Sequence, residues 1–256
     1  MTAMTFYPVM TGVGVLAGFM SGLFGIGGGI IVTPLLVLLY PMVSGQKLPI
    51  EVVTGLSSAQ GFFSSLVSFA LHRVRFQPDW RVIANFAIPM AVANFFASVH
   101  AEAFSENFIL FVFGLLGLLS LLLTYLFRQP VALLCKHSSL SLPLTGLALG
   151  VLCGLVGQGG GFIYLPVLVS LFGLPIKQAI STSALIGIIG ASGALFGRLG
   201  SAQEFLGYTG ELVIGIILGG FLGAALSHRL DARHLKRALN AFVLLCSIQL
   251  MARLIA

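Results

Sequence analysis

Charged and turn-forming residues divide the chain into apolar stretches of two kinds. Six are long enough to cross about 30 Å of hydrocarbon at ~1.5 Å per residue. They are 52–71, 82–99, 108–126, 178–196, 212–227 and 235–252, and each predicts a spanning helix. Two others, 6–40 and 142–172, are broken in the middle by glycine clusters. Residues 22–29 read GLFGIGGG and residues 154–161 read GLVGQGGG. About eleven apolar residues follow each cluster, which is about 16 Å of helix and half a bilayer. Both stretches are therefore expected to be re-entrant hairpins whose second arms, Ile30–Tyr40 and Phe162–Phe172, are half-helices.

The two broken stretches match each other at an offset of 132. Gly14, Gly18, Gly22, Leu23, Gly25, Gly27, Gly28, Gly29, Ile31 and Pro34 meet Gly146, Gly150, Gly154, Leu155, Gly157, Gly159, Gly160, Gly161, Ile163 and Pro166. Further on the offset falls to about 126, because the first half has a longer loop between Pro41 and Pro49, and Ser57 then meets Ser183. At an offset of 125, Arg73 meets Arg198. The chain reads as two homologous halves.

Composition decides the solvent. Only 8% of the 256 residues are charged and 58% are hydrophobic, against roughly 25% charged in a soluble domain. That balance excludes a soluble enzyme, a disordered chain and a nucleic-acid binder. The net charge of +6 is scattered over short loops and forms no basic patch. The 32 glycines suit closely packed membrane helices. Cys135, Cys153 and Cys246 are widely spaced and read as free thiols. No basic residue precedes Lys47, so no cleavable signal is expected.

Charge also orients the chain. With the 128–141 linker on the cytoplasmic side, ten basic residues lie inside (73, 75, 81, 128, 136, 177, 229, 233, 236, 237) and three outside (47, 198, 253). The equivalent loops 72–81 and 197–211 then fall on opposite faces. The expected fold is an all-α integral membrane protein of two inverted-topology repeats, each a Gly-broken re-entrant hairpin plus three transmembrane helices. Repeat 1 is 1–127 and repeat 2 is 142–256, with both termini outside. If every hairpin arm crosses fully, the number of crossings becomes ten and the loop sidedness is unchanged.

Broken backbone is tolerated in a membrane only where protein or water surrounds it. The clusters are expected near the midplane, facing each other. The helix that follows each one presents unpaired N–H groups and the positive end of its dipole. Glycine lets an anion approach that backbone. Candidate substrate contacts are thus Gly25, Gly27, Gly28, Gly29, Gly157, Gly159, Gly160 and Gly161. Gln158, polar and absent from the first cluster, joins them, and so do Ser57, Thr182 and Ser183 as hydroxyl donors. The competing reading of the hydroxyls, which include Thr54, Ser58, Ser64, Ser65, Ser68, Ser181 and Ser192, is bonding within and between helices. The wider ladders Gly14/Gly18/Gly22, Gly146/Gly150/Gly154 and Gly215/Gly219/Gly223 read as packing faces. Asn85 and Asn94 are expected to bond between helices. Arg73 and Arg198 are placed to guide anions into a vestibule.

No carboxylate lies clearly mid-span, the histidines occupy loops at no common depth, and there is no Walker A sequence. No catalytic residue, metal or cofactor is expected.

The duplicated Gly-x-x-x-Gly-x-x-Gly-x-Gly-Gly-Gly, with Pro five residues later, resembles the TauE/SafE family of membrane permeases. So does Ala179-Ile-Ser-Thr-Ser-Ala after the second hairpin. The first half departs there, with Leu56 where Thr182 stands. The resemblance implies a multi-pass transporter of the bacterial inner membrane, an exporter of sulfite, sulfoacetate or similar anions. Expected partners are a small anionic substrate and the lipid bilayer, with no nucleic acid. The glycine faces permit a homodimer. The rivals are a passive anion channel and a membrane scaffold that does not transport.

Overall fold

The computed structural model describes residues 3–24, 29–72, 77–126, 140–157, 161–200, 205–227, 240–241 and 243–249. Among these the regular elements are all helical. α1 (Ala3–Phe24) is followed, beyond the first glycine cluster, by a helical arm in three parts. These are α2 (Gly29–Pro34), a π-helical turn at Leu35–Leu39, and α3 (Tyr40–Ser44). Then come α4 (Ile50–His72), α5 (Trp80–Val99), α6 (Glu106–Leu126) and α7 (Ser141–Val156). Beyond the second cluster lie α8 (Gly161–Ser170), α9 (Ile176–Arg198) and α10 (Leu206–Ser227). Residues 243–249 are helical again.

Four of these helices are both long and apolar enough to cross a membrane within their described residues: Trp80–Val99, Glu106–Thr124, Ile176–Arg198 and Leu206–Gly223. α4 is as long as α9 at 23 residues. Its hydropathy is lowered by Thr54, Ser57, Ser58, Gln60, Ser64, Ser65 and Ser68, every one of them buried. The outer faces carry the opposite pattern. Phe111, Leu115, Leu118 and Leu122 are exposed along α6, and Ile214, Leu218, Phe221 and Leu222 along α10. Water would penalise such stripes, whereas lipid does not.

Backbone contact through glycine sets the packing. α1 lies along α10, and a Cβ at Gly14 or Gly18 would strike the carbonyl oxygen of Leu212 or Ile216. From the other side Gly215, Gly219 and Gly223 face the carbonyls of Thr11, Val15 and Phe19. α7 lies along α5 in the same way, with Gly146, Gly150 and Gly154 on the carbonyls of Phe86, Met90 and Asn94. These are the ladders the sequence marks as packing faces. The partners are exchanged between halves: an arm of the first half docks on the second half, and an arm of the second on the first. α4 packs on α9, with α9 also on α5 and α4 also on α10.

Several ends differ from the expected stretches. The arm after the first break continues to Ser44, where Gly45 takes a left-handed φ of 70° and its N–H bonds the carbonyl of Pro41. Pro34 has no N–H to give the preceding turn, and the chain widens into the π-turn just after it. α7 keeps parallel register with α5, so Gly154 is level with Asn94, five residues before α5 ends. The second break therefore starts near the end of α5, not opposite its centre. Asp79 caps α5 by accepting from the backbone N–H groups of Arg81 and Val82.

Candidate functional site

α7 ends at Gly157, inside the second glycine cluster. Gly25, Gly27, Gly28, Gln158, Gly159 and Gly160 lie outside the described residues, as do Arg73 and Cys135. Gly29 opens α2, Gly161 opens α8, and α2 touches α8.

Gly157 ends α7 at φ 70°, and its N–H returns to the carbonyls of Cys153 and Gly154. A Cβ there would meet the carbonyl of Thr54. Backbone shape and close approach both demand glycine. The Ser58 hydroxyl lies 3.0 Å from the Gly157 carbonyl and 2.9 Å from that of Thr54, sharing one proton between them.

Beyond the Gly157 N–H, the last carbonyls of α7 take donors from neighbouring helices. Ser98 of α5 donates to the Gly154 oxygen at 2.9 Å, and Arg198 of α9 donates to the Leu155 oxygen at 2.9 Å. Arg198 Nη2 also lies 3.4 Å from the Gly154 oxygen. Expected in an outside loop, Arg198 is 1% exposed. One turn into α8, Pro166 leaves the Phe162 carbonyl without its usual donor. Ser120 of α6 supplies one at 3.1 Å.

Ser57, Thr182 and Ser183 are all buried, and each has its own partner. Ser57 pairs with Thr33, one turn into the first arm, at 2.6 Å. Thr182 accepts from the backbone N–H of Asp79 at 3.0 Å, and Ser183 donates to the Ile180 carbonyl within its own helix. No hydrogen bond joins Ser57 to Thr182 or Ser183 among the described residues. Asn94 bonds across to the Gly190 carbonyl, whereas Asn85 bonds back to Arg81 within α5 and is exposed.

Three polar groups here carry weak or no sequence signal. Gln60 is fully buried, with Nε2 3.5 Å from Ser64 and Oε1 unpartnered among the described residues. It falls on the same helical stripe as Ser57 and Ser64, which could have identified it. Thr33 sits in an apolar run, and nothing in its neighbours marks it. The interior position of Arg198 comes from tertiary packing, since in sequence it ends an apolar stretch as a loop arginine would.

The comparisons with known proteins agree with one another. The family described as sulfite exporter TauE/SafE matches residues 10–250. A probable membrane transporter protein of Xylella fastidiosa is 31% identical, covering 96% of this chain and 95% of its own. Another from Haemophilus influenzae is 27% identical, covering 97% and 99%. One from Methanocaldococcus jannaschii is 25% identical, covering 92% of each. No solved structure matches. With the family match spanning nearly the whole chain, and apolar stripes on the outside of a glycine-packed helical bundle, this protein is a multi-pass membrane transporter belonging to the TauE/SafE family.

Proposed function

We propose that the protein is a secondary transporter, an exporter, of small sulfur-containing or organic anions such as sulfite or sulfoacetate. The anion is held by backbone N–H groups at the starts of the two helices that follow the glycine breaks. The observation that supports this reading is the contact between α2 and α8, the two helices that follow the glycine clusters. Each helix start adds ~0.3–1 kcal/mol of dipole stabilisation for an anion, and up to ~2 when partly buried. A site with little formal charge binds an oxyanion and can still release it.

Inverted repeats with alternating access fit the exchanged packing. Gly146 stands 132 positions after Gly14, and Leu212 stands 126 after Phe86; both glycines press on the partner that the repeat relation assigns. The first arm, Gly29–Ser44, and α7 each contain enough helix for about 24 Å. They reach further than half a bilayer and favour breaks displaced from the midplane. The charge pattern puts the termini outside and the 128–141 linker inside.

Counterflow in proteoliposomes tests the function. Sulfite or sulfoacetate uptake should saturate and be driven by the same anion preloaded inside. Gly28→Leu and Gly160→Leu should abolish that flux while leaving protein in the membrane. Full flux in both variants would remove the glycine cradle, and unsaturable flux without counterflow would make the protein a channel. Cysteine labelling should find Ser105→Cys and Ser201→Cys outside and Ser139→Cys inside. An inside Ser201 would end the inverted topology.

A further inference from the structure

We propose that Arg198 is the cationic partner of the transported anion, a specificity-determining side chain seated at the end of α7. The inference rests on the anion reading above and gives the site a charge that the glycine backbone lacks.

A buried guanidinium costs several kcal/mol to desolvate unless it is paired. Arg198 is the last residue of α9 and only 1% exposed, and no carboxylate forms an ion pair with it among the described residues. Glu51 and Glu102 act on it only through space. What holds it is one nitrogen, Nη2, against the carbonyls of Gly154 and Leu155. A helix C-terminus supplies about half a unit of negative charge, so the end of α7 balances the guanidinium only in part, and no described anion touches it. Nε has no partner among the described residues, although it is buried. The guanidinium is therefore anchored at one edge, with donor capacity and charge left over, within a turn of Gly157. A planar fork of N–H donors matches two oxygens of a sulfite, sulfonate or carboxylate group. A simple cap for α7 would need neither a full charge nor a second donor edge, and Ser98 already serves the Gly154 carbonyl.

The test is thermal unfolding of the purified full chain in detergent, titrated with sulfite and methanesulfonate, with dimethyl sulfone as the neutral control. Wild type should be stabilised by the anions and not by the sulfone. Arg198→Lys, which keeps the charge without the fork, should need at least about tenfold more anion for the same shift. Arg198→Gln should lose the shift. Wild-type concentration dependence in Arg198→Lys or Arg198→Gln would overturn the assignment while leaving the glycine site standing. If Arg198→Gln does not fold, the Arg198→Lys titration decides alone. Absence of any anion shift in wild type would overturn the anion reading itself, and the role of Arg198 with it.

Discussion

The helices beside the two glycine clusters differ in the polar contacts that hold them. The second is held by side chains from four helices: Ser58 of α4 on Gly157, Ser98 of α5 and Arg198 of α9 on the end of α7, and Ser120 of α6 on the start of α8. Beside the first, among the described residues, lie the Thr33–Ser57 hydroxyl pair and the π-turn after Pro34. Position 184, the counterpart of Ser58, is alanine, and position 165, the counterpart of Thr33, is leucine. The glycines that set helix spacing recur at the repeat offset. The polar groups have diverged, because a hydroxyl can move to a new position without altering how two backbones approach.

That contrast can be broken at either level. The largest effect is expected where the halves agree. Gly18→Leu and Gly150→Leu each drive a side chain into a carbonyl of the neighbouring helix. Overpacking typically costs ~1–3 kcal/mol, and more when the obstacle is backbone. Both should lose their monodisperse peak on size-exclusion chromatography, and a folded Gly18→Leu beside an unfolded Gly150→Leu would show that the two packing faces are not equivalent. Next comes Ser58→Ala, which strands a buried carbonyl at the second break and should cost about 1–3 kcal/mol, read as a lower Tm. Ser120→Ala should cost about 1 kcal/mol, because the Phe162 carbonyl has no helical donor to fall back on. The smallest loss belongs to Thr33→Val at about 0.5–1 kcal/mol, since the Ser57 hydroxyl can turn to a carbonyl of its own helix. A Tm drop for Thr33→Val as large as that for Ser58→Ala would erase the difference between the breaks.

The sequence carried the helical class, the membrane environment and the packing ladders, because each depends on residue type at fixed spacing. Gly14, Gly18, Gly146 and Gly150 could be read as contact faces before any partner was known, since only a close backbone requires glycine every fourth residue. The length of the first arm was not legible. Met42 and Val43 follow Pro41, which looks like a turn in sequence, yet proline is accepted in the first turn of α3. Thr182 and Ser183 were recognisable as hydroxyls near the second hairpin, but their partners were not. The N–H of Asp79 reaches Thr182 from 103 residues away, and only the packing of α9 on α5 brings it there. Arg198 shows the same limit more sharply, because burial of a charge at a helix end is decided by which other helices close over it.

The exchange of partners between halves also dictates an order of assembly. α1 leaves the ribosome well before α10, whose backbone its glycine face is shaped to meet. At ~5–20 residues per second, the roughly 180 residues between Phe24 and Leu206 take about 10–40 s to synthesise. Throughout that time α1 must remain in the bilayer with its grooved face against lipid tails. A nascent chain arrested before Leu206 would display that face to membrane proteases and chaperones, and closure of α10 over α1 would be the event that withdraws it.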